Sequence, residues 1–540
     1  MRRFHLATLL LLSASACSGA AADPVAGGGG TVDASTPDAP KVVTGASGDE
    51  EPGTDAGVAD AEAGSAKPDT CTFDDPPDDE GFDSNCDGAE GVIERSVYVA
   101  QSGDDIFGGS PSYPVKTLAR ALALVEADPS RRTVYVASSA TPYASADLGE
   151  LLAKGVSVYG SLSQEFGWSR PQGAATEIAT TFVSNGRGVT AKVDAALTTL
   201  AFAHLTSTRG AGDPIHVVGL LLTGVAPLVL SHVAIDTDNG AGGTDGVAGA
   251  DAADLGASYD GAANVAYGPG AGGPAPTCPG VADSTTGRGG AGGRGETNSA
   301  PQAGEDGGGG AKGGARGVNG NTSERTGKPG ERGADGSDGA AASAIGSDDW
   351  SVVGTSITYA DTTDATIGRM GGGGGGGGGS KRGNNCEGGL TLTSGGAGGG
   401  AGACGGLPGT SGTPGGFSVG VLARGPWPSF SDVRITTGNG GRGGDAGAGG
   451  AGGAGARGAA SVKGPNCGYT GGNGGDGGNG GNGGAGASGA GGWSIGVLSA
   501  QPVGNTSGVT ITLGSAGLAG ASAPNGLAGG DGVALPTYVK

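Results

Sequence analysis

The sequence predicts an all-β fold built as a parallel β-solenoid, and three observations predict it. Two segments, Gly416–Gly438 and Gly492–Gly514, align without gaps at an offset of 76. Each reads as an apolar strand, a turn and an alternating strand, a unit that buries its apolar face only by stacking on its neighbours. The third observation is that 126 of 540 residues are glycine while aromatics make up 4%. So much glycine adds backbone entropy and no side chains, which excludes several conventional cores. Glycine short of one third and only 28 prolines argue against collagen. A formal net charge of −22 excludes a basic nucleic-acid binder.

In chain order, residues 1–16 read as a signal for export: Arg2 and Arg3, a short apolar run from Leu6 to Leu12, then Ala14-Ser15-Ala16 before Cys17. The run is too short to span a bilayer. The small residues before Cys17 resemble the lipobox of bacterial lipoproteins, although Ala14 stands where leucine is usual. That resemblance implies lipidation of Cys17, and hence an exported protein held at the outer membrane or cell surface by its lipid alone. Six further cysteines in an exported chain predict disulfides. Loop-closure entropy favours the pairs near in sequence, Cys71 with Cys86 and Cys386 with Cys404.

Residues 17–70 hold few large apolar groups and read as a disordered acidic tether. Between residues 18 and 94 there are 19 acidic residues and two lysines, so residues 95–540 carry a net charge of only −7. Within residues 71–94, Asp83, Asn85, Asp87, Gly88 and Glu94 match the spacing of an EF-hand calcium loop. Pro76, Pro77 and the polar Glu90 depart from that pattern. The segment resembles the Asp-rich NCDG segments of secreted bacterial, notably myxobacterial, proteins, which implies calcium as a ligand. The other reading is an acidic turn pinned by a disulfide.

The body, residues 95–540, opens with Val97–Val99 as a strand, Ser102–Asp105 as a turn and Leu118, Ala121, Leu122 and Val125 at helical spacing. Val134–Val136 then returns to strand. With Gly103, Asp104, Pro114, Lys116, Thr117 and Tyr143, this resembles the entrance of pectin-lyase-like proteins. The resemblance covers about 50 residues and implies a right-handed parallel β-helix whose N-terminal helix plugs the open end of the solenoid.

Further along, His216–Gly240 joins the repeat series with one extra residue, and Ile345–Gly371 is a weaker fourth copy. Glycine-rich insertions at about 240–344, 371–415 and 438–491 each follow a copy, so they are expected to leave the scaffold at corresponding corners. Glycine recurs every third residue within them, as at 471, 474, 477, 480, 483, 486 and 489. Long mobile loops are the leading expectation. Period three also suits polyglycine-II-like packing of extended three-residue-per-turn helices.

Chemistry is sparse. Gly440–Asp445 and Gly471–Asp476 match the first six places of a calcium-binding nonapeptide, but Gly447 and Gly478 stand where that motif needs a large apolar residue. His204, His216 and His232 lie in apolar runs and are expected to be structural. Asp236 and Asp238 are the best candidate acids for glycoside chemistry, and Arg434 is a candidate base on a strand. No residue set of a β-helix polygalacturonase is present, so activity does not carry over with the fold. The leading expectation is a non-enzymatic surface protein for adhesion or glycan binding. A polysaccharide lyase or glycoside hydrolase and a structural spacer are the alternatives.

Overall fold

The computed structural model describes residues 71–72, 75–76, 83–170, 180–195, 197–210, 215–280, 285–296, 300–318, 322–354, 356–382, 393–464 and 469–540. The export signal, Cys17, the acidic tether and Cys386 lie outside the described residues.

Most strands fall into three parallel sheets. The first contains β1 (Ser96–Val99), β2 (Thr133–Ala137), β4 (Ser157–Leu162), β7 (Thr199–Ala201), β10 (Val229–Ser231) and β15 (Ser429–Ser431). The second contains β3 (Tyr143–Ala144), β5 (Thr180–Asn185), β8 (Ala203–Thr208), β11 (Ala234–Thr237), β16 (Val433–Thr436) and β18 (Val509–Thr512). The third contains β6 (Val189–Val193), β9 (Val217–Gly224), β14 (Ser418–Ala423), β17 (Ser494–Ser499) and β19 (Ala534–Val539). From β4 to β16 the chain visits the sheets in fixed rotation, first to second to third; the insertions at 240–344 and 438–491 leave after second-sheet strands, whereas that at 371–415 follows an antiparallel hairpin.

The repeat copies stack in register. Ser418 pairs with Ser494 and Val433 with Val509, the offset of 76 read in the sequence. The extra residue of the earlier copy is visible as a slip: Leu221 pairs with Leu422, whereas Ile235 pairs with Ile435. The inward side chains, among them Val97, Val134, Leu205, Leu220, Ile235, Ile435 and Val497, form one continuous apolar core. Helix α1 (Leu118–Ala127) buries Leu118, Ala121 and Val125 in that core. Thr117 caps it by accepting from the Arg120 N–H. Helix α2 (Ala146–Ala153) adds Leu148, Leu151 and Leu152 against β6.

The fourth copy is a correction. Residues 345–371 contain no repeat unit but an antiparallel hairpin of β12 (Trp350–Val353) and β13 (Ser356–Tyr359). Trp350 and Ile357 pack on Phe417, Val419, Trp493 and Ile495 and cover the outer face of the third sheet. Buried on both faces, its strands read as continuous apolar runs such as Val217–Leu222. The hairpin imitates a copy because it needs the same apolar strands to cover them.

The glycine tracts are not mobile loops. They are extended chains bonded laterally to one another, and the run Gly371–Gly379 lies at the centre. Gly371, Gly374 and Gly377 donate to Ala403, Gly400 and Ala397. Gly372, Gly375 and Gly378 donate to Ala334, Glu331 and Lys328, and Gly373, Gly376 and Gly379 to Gly308, Glu305 and Gln302. The same run accepts from Gly290 and Gly293, from Gly314 and Gly317, and from Gly472, Gly475 and Gly478. Three donor directions repeating every three residues are those of a polyglycine-II-type helix, and six neighbouring segments surround it. A Cβ on Gly376 would run into the Ala291 carbonyl, and one on Gly377 into that of Gly472. Nine consecutive glycines are therefore required where a chain is enclosed on all sides.

Towards the surface, side chains replace the missing neighbours. Asp245, Asp251 and Asp254 accept from the N–H groups of Asp445, Ala451 and Ala454 at 2.7–2.8 Å. Asn473, Asp476, Asn479 and Asn482 do the same for Ser461, Gly458, Gly455 and Gly452. These period-three acids and amides satisfy backbone groups that would otherwise lack partners. Asp445 and Asp476, the acids of the two nonapeptide matches, serve in this way.

Among the described residues two disulfides are formed, Cys71–Cys86 and Cys278–Cys404. The first is as expected; the second corrects the pairing of Cys404 with Cys386. Loop-closure entropy treats the intervening chain as flexible, whereas the tracts hold Cys278 beside Cys404 across 126 residues.

Gly376→Ala is expected to cost more than about 3 kcal/mol, because the added methyl meets backbone that cannot move aside. Val247→Ala, at a tract residue 70% exposed, is expected to stay within about 0.5 kcal/mol of the parent. Chemical denaturation of the two variants beside the parent checks both values.

Candidate functional site

The outer faces of the three sheets differ. The hairpin covers the third. The first carries a ladder of Tyr98, Tyr135 and Tyr159, with ring centroids 5.3 and 5.7 Å apart, closed over by Trp168 and Ala89. Tyr98 donates to the Glu90 carbonyl at 2.8 Å, and burial first, then the Asp87, Glu90 and Asp75 charges, push its phenol well above the ordinary range. The Asp-rich segment is thus a lid on the first sheet.

In that lid, Asp83 accepts from the N–H groups of Asp87 and Gly88. Asn85 accepts from the Asp87 N–H and donates to its carboxylate, while Asp87 accepts from Ala89 and Ile93. Glu94 stands exposed in the short 3-10 turn Ile93–Arg95. Among the described residues no three His, Cys, Asp or Glu side chains are arranged to hold a metal ion. The oxygens of Asp83, Asn85 and Asp87 thus accept from backbone donors of their own loop.

The second sheet remains open. Strand alternation sends Phe182, Leu205, Ile235 and Ile435 inward. The opposite face carries one ladder of Thr181, His204, Ala234, Arg434 and Thr510, and beside it Val183, Thr206, Asp236, Thr436 and Thr512. The His204 ring lies 2.7 Å from the Asp236 carboxylate, and that bond holds the acid below the usual carboxylate range while partial burial opposes it. Arg434 adds a weaker downward pull. Asp238 does not join the pair; its carboxylate accepts from the Arg209 N–H at 2.9 Å.

Along one edge of this face runs the corner between the first and second sheets. Phe202, His232 and Asp432 occupy successive corners with φ of 51°, 52° and 49°. Left-handed backbone costs a non-glycine residue roughly 1–2 kcal/mol, yet three successive layers keep side chains there. Arg170 lies over the Phe202 ring at 3.7 Å, and the His232 ring stacks on Phe202 at 4.6 Å with planes 4° apart. Asp432, largely exposed, approaches His232 at 3.6 Å. Phe202, His232 and Asp432 border an open groove of about 480 Å³ that also touches Ser161, His204, Arg434 and Thr510.

The sequence reading names Asp236 and Asp238 as candidate acids and Arg434 as a candidate base and expects His204 and His232 to be structural; the structure sets His204, Asp236 and Arg434 on one face. The signal for that placement is alternation: Ala203, Leu205 and Ser207 are buried, so His204 must face outward. His216 does fill a structural role. Its Nδ1 accepts from the Phe417 N–H at 3.0 Å, and burial lowers its pKa from 6.5 to about 4. Comparison with protein-family models, curated proteins and solved structures finds no match.

Because the folded state holds His216 neutral, the unfolded chain binds the extra proton between pH 6.5 and about 4. Its contribution to stability is full above that window and lost as pH falls through it. His216→Asn is expected to show a shallower loss of thermal midpoint between pH 6.5 and 4 than the parent, measured by calorimetry.

Proposed function

We propose that the three sheets are the faces of one right-handed parallel β-helix, held at the cell surface by a lipid on Cys17, and that it binds glycan through its second sheet. The fixed rotation of the chain, the stacked in-register copies and the column of corner residues support the solenoid. The observation that carries the binding role is the groove beside the second sheet's outer face, the one left open among the described residues. Carboxylates, imidazoles and a guanidinium, with threonines, offer donors and acceptors of both kinds over a shallow, extended surface. Such a surface suits the hydroxyls of a polysaccharide chain better than a compact ligand.

Catalysis is the second reading, favoured by the Asp236–His204 pair with Arg434 beside it. Against it, hydrolysis needs two carboxyl groups facing one bond, and Asp238 is turned to backbone instead.

Incubating the purified protein with a panel of polysaccharides is expected to give binding without cleavage. Asp236→Asn and Arg434→Ala are each expected to weaken that binding about tenfold, the scale of one charge-assisted hydrogen bond. Released reducing ends or unsaturated products would replace the binding reading with the enzymatic one, and absence of both would leave the spacer. Cys17→Ala is expected to release the protein from the membrane fraction; full retention would sink the anchor.

A further inference from the structure

Ala234 is the centre of an array in which every surrounding side chain is larger than its own. On its own strand it stands between His232 at the corner and Asp236. The layer before sets His204 against Ala234 and Thr206 against Asp236, with Phe202 at the corner. The layer after sets Arg434 against Ala234 and Thr436 against Asp236, with Asp432 at the corner. Neighbouring strands lie about 4.8 Å apart, so the His204 and Arg434 backbones stand roughly 10 Å apart with only a methyl group between them. The groove described above runs over this floor and touches Ala234 together with His204 and Arg434.

The two walls of this socket differ in chemistry. His204 belongs to a dyad: its Nε2 lies 2.7 Å from Asp236, whose carboxylate is held below the usual range. An ionised acceptor at Nε2 keeps the proton of the neutral ring there and leaves the lone pair on Nδ1. Among the described residues nothing bonds that Nδ1. Across the floor, Arg434 is exposed, and its guanidinium makes no hydrogen bond or ion pair among the described residues. Ser161 also touches the groove, but its hydroxyl already donates to the Phe202 carbonyl at 3.0 Å. The nucleophile that suits this base is therefore water.

We propose that the Ala234 socket hydrolyses O-acetyl esters on the glycan held in the groove, an activity that rests on the glycan reading above for its substrate. The acetyl methyl seats on Ala234 and the ester carbonyl oxygen lies toward Arg434. Water attacks the carbonyl carbon and gives a proton to Nδ1 of His204 as the new C–O bond forms. Arg434 holds the charge that develops on the tetrahedral oxygen. Asp236 is a positioning residue that steadies the imidazolium. The intermediate then breaks its bond to the sugar oxygen, which leaves with the proton returned by His204, and acetate is the other product. The step balances with water alone. It leaves the glycosidic bonds whole, so it does not need the second facing carboxyl group that glycoside hydrolysis requires.

The purified full chain, assayed on 4-nitrophenyl acetate and on acetylated xylan, tests this. Acetate release without reducing ends is expected from the xylan, together with retention of its chemically deacetylated form. His204→Gln can still bond Asp236; it should lower kcat at least about 100-fold on both esters while KM stays within about threefold. Ala234→Leu fills the socket, leaves every charged group in place and should abolish release, with circular dichroism checking the fold. Polysaccharide retention without hydrolysis of either ester would overturn the esterase and leave the glycan reading standing. Hydrolysis undiminished in either variant would overturn it too, because the reaction would lie outside the socket. Hydrolysis of 4-nitrophenyl acetate that both variants abolish, with no polysaccharide retained, would instead overturn the glycan as substrate.

Discussion

The constraint on which the rest depends is the lateral reach of a backbone that turns once every three residues. Each N–H points in one of three directions, and a side chain fits only where no neighbouring chain stands. Glycine is therefore dictated by enclosure. Gly371–Gly379, with six neighbours, has glycine at every place; tracts nearer the surface keep it every third residue and carry alanine, threonine or acids elsewhere. The composition follows from the number of neighbours.

The glycine body and the sheets are one construction. Ala234 pairs with Arg434 at an offset of 200, and beyond the strands that offset continues: Asp245 bonds Asp445, Asp251 bonds Ala451, and Asp254 bonds Ala454. The offset of 76 between Val433 and Val509 likewise continues as Asn439 to Ser515 and Asp445 to Ala521. The stretches that follow β11, β16 and β18 are second-sheet strands carried past the corner with their stacking order intact. What changes is the local repeat, from two residues to three, and with it the need for apolar side chains.

That change explains how much was legible in the sequence. Period-two apolar runs with a fixed offset gave the strands, the one-residue slip at 216–240 and the exit corner shared by the insertions at 240–344 and 438–491, because each leaves a side-chain signature; the insertion at 371–415 follows the hairpin instead. The burial of Leu118, Ala121 and Val125 followed from helical spacing in the same way. The order of the tracts left a weaker trace, since backbone-to-backbone bonding is blind to side chains. Cys278 meets Cys404 only through those bonds. At the candidate site, the outward direction of His204 follows once its buried neighbours Ala203 and Leu205 are counted, whereas its bond to Asp236 crosses between strands and leaves no trace in the sequence.

The same division bears on the recognition proposed above. In the glycine body carbonyls accept from neighbouring tracts, and surface acids such as Asp245 and Asp476 accept from backbone. On the second sheet the backbone is satisfied within the sheet, so the outward side chains are released for other work. His204, Asp236 and Arg434 stand on that face, beside a corner that keeps Phe202, His232 and Asp432 in costly left-handed backbone. The binding proposed above would thus rest on the face where the repeat is two. The part where it is three supplies breadth and rigidity around it.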